Sequence, residues 1–353
     1  MKKILLTGGG TAGHVIPNLA LLPGLRANGF EVFYVGSHDG IERGLAEAAG
    51  LPYFGIASGK LRRYANLKNV TDIFRVMKGF ADAASVIRKV RPDVIFSKGG
   101  FVTVPVVAAG RTLRVKALLH ESDITPGLAN RLSAPFATKI CCSFPETLKH
   151  LPAGKGVFTG TPIRQSLFEG NRTRGLGLAG FMGQKPVLLV TGGSQGAAAI
   201  NACLREALPQ LLQQFDVIHL CGRGNLSGIE AVGYAEFEYL NDEMPDVFAA
   251  ADIVLSRAGA NTVFELVALK KPHLLVPLSK GASRGDQILN ANSTKKQGFS
   301  MLLPEEEMTA TRLQSDLQML YNSRDSFAKK MLENKNSDST QQIIREILAV
   351  TEL

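Results

Sequence analysis

Two glycine-rich turns hold the residues whose types and spacing best fit chemistry. Gly8-Gly9-Gly10-Thr11-Ala12-Gly13 follows the apolar run Ile4-Leu5-Leu6, and Gly192-Gly193-Ser194-Gln195-Gly196 follows Val187-Leu188-Leu189-Val190. A turn of glycines and small hydroxyl residues between a buried strand and a helix presents backbone N–H groups at the positive end of the helix dipole. That arrangement binds phosphates. The spacing Gly8-x-Gly10-x-x-Gly13 also satisfies the dinucleotide fingerprint. The next apolar run, residues 31–35, passes into Gly36-Ser37-His38, with no acid to hold an adenosine ribose. Three successive glycines exceed what a bare tight turn needs. His14 comes directly after the first loop, where a helix N-terminus favours the neutral imidazole of a base; a packing histidine is the other reading.

A third stretch, Ser256-Arg257-Ala258-Gly259-Ala260-Asn261-Thr262-Val263-Phe264-Glu265, closes an apolar run and opens a helix. Glu265 lies about one turn in, placed either to take two ribose hydroxyls or to serve as a dipole-stabilising carboxylate. Asp286 and Gln287 follow another apolar run, as sugar-hydroxyl partners or as loop solvation.

These loops need strands and helices to hold them. With 353 residues the chain is long enough for two domains, and its 45% hydrophobic and 20% charged residues with 36 glycines suit packed α/β structure. The two glycine loops have matching settings, and Pro92 to Gly100 repeats the pattern of Ala251 to Gly259, so two similarly organised halves are expected. Residues 32–35, 117–119 and 140–142 read as further strands of the first half, and 217–220 and 274–277 as strands of the second. Helical stretches alternate with them, which predicts open parallel sheets with ligands beyond the strands' carboxyl ends. Glycine and proline at 158–162 and a looser stretch over 169–184 place the boundary, giving domains 1–161 and 162–337. Ile343, Ile344, Ile347 and Leu348 at helical spacing predict a last helix, within 338–353, that returns to the first half.

Three apolar residues before the first glycines are too few for a signal-peptide core, and no run approaches the roughly 18 apolar residues of a membrane span, so a cytoplasmic protein is expected. Cys141, Cys142, Cys203 and Cys221 show neither a disulfide framework nor zinc spacing. Residues 1–161 carry 21 Lys and Arg against 10 Asp and Glu, while residues 162–353 carry 19 against 21. The first half therefore calls for an anionic partner: nucleic acid, a phosphorylated substrate or an anionic membrane. Lys60-Leu61-Arg62-Arg63-Tyr64 leads into a helix with Ile73, Phe74, Met77 and Phe80 among Lys68, Arg75 and Lys78. This mixture fits lipid headgroups, and an ordinary amphipathic core helix would read the same way.

Taken in order, Gly8 to His14, Lys98-Gly99-Gly100-Phe101-Val102, His120-Glu121-Ser122-Asp123 with Asn130, Gly192 to Gly196, Arg257-Ala258-Gly259-Ala260 with Glu265, and Asp286-Gln287 with Asn290 resemble the motif set of the MurG family, over essentially the whole chain. These are bacterial N-acetylglucosaminyltransferases that convert lipid I to lipid II in peptidoglycan synthesis. The resemblance implies the GT-B fold, an α/β architecture of two Rossmann-like doubly wound parallel-sheet domains facing a cleft. It also implies an inverting transfer with no metal or other cofactor. Carried over by position, it assigns UDP-GlcNAc to Thr11, Gly13, Asp123, Arg164, Ser194, Leu240, Thr262, Glu265, Asp286 and Gln287. Glu265 would take the ribose and the Leu240 backbone the uracil. Arg164, Ser194 and Thr262 would meet the diphosphate, with Asp286 and Gln287 on the sugar. The acceptor diphosphate falls to Gly9, Gly10, Thr11, Gly13 and Asn130, and the catalytic positions are His14, as candidate base, and Glu121. The implied partners are UDP-GlcNAc, lipid I and the anionic inner face of the cell membrane, with peripheral attachment there and no nucleic acid. The family often has glycine where Ala12 stands, asparagine where Asp123 stands and glutamine where Asp286 stands; an acid accepts from a hydroxyl but lacks the amide's donor. A UDP-GlcNAc 2-epimerase, a diacylglycerol glycosyltransferase and a nucleotide-sugar binding module are the alternatives, separated by whether product requires lipid acceptor and by which lipid it requires.

Overall fold

A computed structural model describes residues 1–59, 68–193, 196–279, 281, 285–334 and 338–352, with backbone alone for 68–74. The chain packs as two units, Met1–Arg164 with Asp338–Leu353, and Gln165–Ser337.

The first unit is built on seven strands, β1 (Lys2–Thr7), β2 (Phe30–Ser37), β3 (Tyr53–Ile56), β4 (Val94–Ser97), β5 (Lys116–Glu121), β6 (Lys139–Cys142) and β7 (Gly156–Phe158). They lie in the order β3-β2-β1-β4-β5-β6-β7, all parallel. Ile4, Leu5 and Leu6 are wholly buried because helices cover both faces, which explains the unbroken apolar runs. Ile4 and Leu6 pack with Val15 and Leu21 on one face; Leu5 packs with Val106 and Val107 on the other. The helices that follow β1 and β4, Ala12–Ala20 and Thr103–Thr112, therefore leave on opposite faces. The carboxyl ends of β1 and β4 form the switch point where doubly wound sheets bind ligands.

Helix Ser339–Glu352 inserts Ile343, Ile344, Ile347 and Val350 into the first of those clusters. Its Glu346 pairs with Lys139 at 2.7 Å and its Gln342 amide donates to the Phe158 carbonyl. Helix Lys68–Val90 packs through Ala83, Ala84, Ile87 and Val90, while Arg75, Met77 and Lys78 are exposed and Phe80 is half-buried. The basic stretch Lys60–Tyr64 and the side chains of Lys68, Ile73 and Phe74 lie outside the described residues. Among the described residues no helix is long and apolar enough to cross a membrane.

The second unit repeats the plan with β8 (Val187–Thr191), β9 (Asp216–Leu220), β10 (Tyr234–Phe237), β11 (Ile253–Ser256), β12 (His273–Leu275) and β13 (Ser300–Leu302). Their parallel order, β10-β9-β8-β11-β12-β13, puts the switch point at the ends of β8 and β11. Two local differences from the sequence reading have physical causes. The expected strand 274–277 stops at Leu275; Val276 still donates to the Ser256 carbonyl at 2.8 Å, but Pro277 has no N–H to continue the ladder. The looser stretch 169–184 contains helix Arg172–Ala179, capped by the Asn171 side chain and held from outside: Arg174 makes two 2.8 Å bonds to Asp246, and Arg172 pairs with Asp252.

Candidate active site

The first glycine loop is fixed by partners on β2, on the loop after β4 and on two helices. Tyr34 of β2 donates its hydroxyl to the Gly8 carbonyl at 2.7 Å, and Asn18 donates to the Thr7 carbonyl and to Tyr34. Gly9 N–H donates to the Gly99 carbonyl beyond β4, and Gly10 N–H to Glu42 Oε2 at 3.1 Å. Gly100 has φ +93, and a Cβ there would overlap the Gly9 carbonyl oxygen, so only glycine lets the two loops close on each other. With the amides of Gly9 and Gly10 turned inward, those of Thr11 and Ala12 stand at the start of helix Ala12–Ala20 with no partner among the described residues. Backbone donors so placed at a helix N-terminus suit an anion.

His14 sits half-buried over this loop. Its Nδ1 lies 2.9 Å from the Gly9 carbonyl oxygen and 3.3 Å from Thr11 Oγ1. A carbonyl only accepts, so Nδ1 carries the proton and Nε2 keeps the lone pair of a base. Burial is the largest influence on its pKa and lowers it; the Gly9 bond opposes this and the Lys98 charge adds to it, so the ring is neutral near pH 7.

Glu121 closes β5, buried, with both oxygens engaged. Oε1 accepts from Asp123 N–H at 3.0 Å, and Oε2 from Gly127 N–H and Asn130 Nδ2, each at 2.9 Å. Burial raises its pKa, the Asn130 amide opposes that, and the Asp123 charge raises it further. Such a carboxylate holds the loop carrying Asp123 in place; its Oε2 takes two donors and its Oε1 one, while His14 presents Nε2. Asn130 also donates to the His120 carbonyl, so its amide nitrogen is spent within the protein.

Three groups that sequence reasoning passed over complete this end of the sheet. Lys98 is buried at 1% exposure; its Nζ lies 2.8 Å from His120 Nδ1 and donates to Ser122 Oγ. His120 Nε2 donates to the Gly160 carbonyl at 2.8 Å, which leaves Nδ1 to accept from Lys98, and burial keeps this imidazole neutral. Burial pushes the Lys98 ammonium down to about 7 against the pull of Glu121 and Asp123. Glu42, fully buried in helix Ile41–Ala48, accepts from Ser37 N–H at 3.0 Å and Ser37 Oγ at 2.5 Å besides Gly10. Burial pushes its carboxyl up, but the Ser37 hydroxyl and the backbone amides outweigh that and hold it below the ordinary carboxylate range. Its signal in the sequence is an acid two residues after Gly40, in a turn with Gly36 on the other side.

In the second unit Gly192 and Gly193 follow β8, and Gly196 N–H donates to the Gly193 carbonyl at 2.9 Å before helix Ala198–Leu211 begins. Ser194 lies outside the described residues. Helix Ala260–Ala268 starts beyond β11 and carries Thr262 and Glu265, both half-buried, in its first two turns. Asn290 donates to the Ala258 carbonyl and steadies that loop. Arg257 is committed to Glu305 and the Val276 carbonyl, so it is a structural cation. Gln287 Oε1 accepts from Leu278 N–H at 3.1 Å, which leaves its amide nitrogen to donate, and Asp286 begins the same helix, Asp286–Lys296. Leu240 is half-buried just beyond β10, and Arg164 is the last residue of the first unit before the chain passes to the second.

A polar network, buried at His219, Asn201 and Tyr234 and partly exposed at Arg205 and Glu236, links β9 and β10 to helix Ala198–Leu211. Arg205 meets Glu236 at 2.7 Å, Tyr234 donates to Glu236 at 2.9 Å, and His219 bridges Tyr234 and Asn201. Glu236 also takes the Ser227 N–H and hydroxyl, fixing the loop after β9 whose Cys221 carbonyl presses against Gly196. The four cysteines are buried free thiols.

Comparison with known proteins gives one answer along the chain. Residues 4–142 match the glycosyltransferase family 28 N-terminal domain and residues 187–347 the glycosyltransferase family 28 C-terminal domain. A relative from Lachnospira eligens, named UDP-N-acetylglucosamine--N-acetylmuramyl-(pentapeptide) pyrophosphoryl-undecaprenol N-acetylglucosamine transferase, is 54% identical over 351 residues, covering 98% of this chain and 99% of its own. One of the same name from Clostridium botulinum (strain Langeland) is 52% identical, covering 99% of this chain and 100% of its own. The crystal structure of Acinetobacter baumannii MurG superposes with a TM-score of 0.77 at 25% identity, covering 99% of this chain and 100% of that one.

Proposed function

The chain belongs to glycosyltransferase family 28, among its UDP-N-acetylglucosamine--N-acetylmuramyl-(pentapeptide) pyrophosphoryl-undecaprenol N-acetylglucosamine transferases, and we propose that it performs their reaction. It moves N-acetylglucosamine from UDP-GlcNAc to the muramyl sugar of the undecaprenyl-diphosphate-linked pentapeptide acceptor. The observation that carries this reading is 54% identity along nearly the full length of both chains.

The chemistry follows from the loops. The acceptor diphosphate lies against the Thr11 and Ala12 amides at a helix N-terminus, beside Gly9, Gly10, Gly13 and Asn130. His14 Nε2 takes the proton of the sugar hydroxyl as its oxygen attacks the anomeric carbon on the face opposite UDP. The new C–O bond forms as the bond to the diphosphate oxygen breaks, and the configuration inverts. In the second unit Glu265 holds the ribose hydroxyls, the Leu240 backbone the uracil, and Gln287 with Asp286 the sugar hydroxyls. The leaving diphosphate is stabilised by the amides after β8, the positive end of helix Ala260–Ala268, Thr262, Ser194 and Arg164. Thr11, Gly13 and Asp123 are further candidates for donor contacts. The basic excess of residues 1–161, with exposed Arg75, Met77 and Lys78 on one helix, supports peripheral attachment to the anionic inner face of the cell membrane; the excess serves lipid phosphates, not a nucleic acid.

The test is transfer from radiolabelled UDP-GlcNAc to a short-chain lipid acceptor carrying the muramyl pentapeptide, with and without chelator. Product that forms only with this acceptor and persists in chelator is expected. Loss of UDP-GlcNAc with no acceptor present would point to an epimerase instead. Glu265→Ala weakens UDP binding several fold or more, and unchanged UDP affinity would remove that residue from the donor site.

A further inference from the structure

The peptide unit joining Gly9 to Gly10 is hydrogen bonded on both edges. Its carbonyl accepts from His14 Nδ1 at 2.9 Å, and its N–H donates to Glu42 Oε2 at 3.1 Å. In a trans peptide the C=O and N–H point to opposite edges of one conjugated plane, so the carboxylate and the imidazole are joined through a single amide.

We propose that Glu42 is a positioning residue that acts on the base His14 through the Gly9–Gly10 peptide. An anionic acceptor on the N–H shifts electron density toward the carbonyl oxygen, which then accepts more strongly from Nδ1–H. That favours the tautomer with a lone pair on Nε2 and makes Nε2 more basic, the service a carboxylate performs when it bonds directly to an imidazole in a hydrolase triad. Here one peptide stands between them.

The surroundings fit this task. Ser37 holds the carboxylate with two donors, N–H and hydroxyl. A Cβ added at Gly9, Gly36 or Gly40 would overlap the Glu42 side chain, so all three positions are pared down to admit it beside the loop. Glu42 is fully buried, and its bonds keep it ionised. A carboxylate needed only to cap helix Ile41–Ala48 would not have to reach across to the loop after β1.

The inference rests on His14 being the base, and the test separates the two. Glu42→Gln in the full chain is read in three ways. The kcat for transfer falls about 10–100-fold, the usual effect of losing a partner behind a reacting group, while KM for UDP-GlcNAc stays within twofold. The acid limb of kcat/KM moves to lower pH, because His14 becomes less basic. Nitrogen-15 spectra of the His14 ring, recorded without turnover, change from the Nδ1–H form to a mixture of tautomers. In a His14→Ala background the same substitution adds less than twofold. Should Glu42→Gln not fold, Ser37→Ala keeps the charge, loosens one hold on it, and moves the ring signals in the same direction by less. An unmoved ring spectrum, or losses that multiply in the double variant, would overturn the relay. A wild-type chain with an Nδ1–H His14 but no transfer would overturn the proposed reaction and leave the relay standing.

Discussion

Lys98 lies at the switch point with its ammonium out of water, and its removal should be visible in how stability depends on pH. Its hydrogen bonds go to His120 Nδ1 and Ser122 Oγ, with the charges of Glu121 and Asp123 nearby. Burial pushes it down to about 7 against the opposing charges of Glu121 and Asp123, whereas an unfolded lysine titrates near ~10.4. Between those values the unfolded chain holds a proton that the folded chain has released, so stability rises with pH across the window. Below about 7 both states hold it, and the folded state bears the whole desolvation cost. A gap of three to four pKa units at ~1.4 kcal/mol each amounts to ~4–5 kcal/mol. Lys98→Met removes that cost but leaves His120 Nδ1 and Ser122 without their buried donor, which costs ~1–3 kcal/mol for each group. The two substantially cancel at pH 7, so the clean signal is the slope. From pH 7.5 to 9.5 the wild type should gain up to ~1.4 kcal/mol per pH unit relative to Lys98→Met. Urea unfolding at half-unit steps, with the variant curve subtracted, cancels the titrating groups remote from Lys98. Parallel curves would show that Lys98 does not carry its charge into a dry site, and the reasoning would fail.

His14→Ala should slow transfer about 10²–10⁴-fold with little change in UDP-GlcNAc KM. Because burial lowers this imidazole, the wild-type acid limb should fall below the ordinary histidine value near ~6.5 and disappear in the variant; a near-normal rate would sink the base role. Gly100→Ala forces a Cβ into the Gly9 carbonyl at φ +93 and should lower stability by about 2–4 kcal/mol. It should also lower transfer to the lipid acceptor more than UDP binding, and calorimetry with equilibrium UDP titration would separate the two effects. Arg205→Ala strips Glu236 of its cation, and losing a charged hydrogen bond at a partly buried pair should cost about 1–3 kcal/mol. Since burial, which raises the Glu236 pKa, is outweighed by Arg205 and the Ser227 and Tyr234 bonds that hold it at about 2, the wild-type advantage should be full above pH 5 and shrink as the pH falls toward 2; a constant difference would assign the loss to packing.

The apolar runs and glycine turns in the amino-acid order already determined two doubly wound halves, because a strand covered on both faces must be apolar throughout and a strand-to-helix turn at a ligand must be small. Ile4 to Gly13 and Val187 to Gly196 carry that information locally, and so does the position of His14 one residue past its loop. The short edge strands β3, β7, β10 and β13 were not legible, since three or four residues hold too little pattern and are ordered by the strand beside them. Nor was helix Arg172–Ala179, which packs through Gly175 against helix Met244–Ala250 and reaches Asp246 and Asp252, some 70 to 80 residues away. Tertiary structure alone decided which donors of the glycine loop are already engaged: Gly9 and Gly10 spend their amides on Gly99 and Glu42, residues that no spacing rule ties to them. It also decided that Glu121 spends three hydrogen bonds on holding its own loop, and that Lys98 is buried. Hydrogen bonding and desolvation are set by what surrounds a group in space, and a linear sequence records only what surrounds it in the chain.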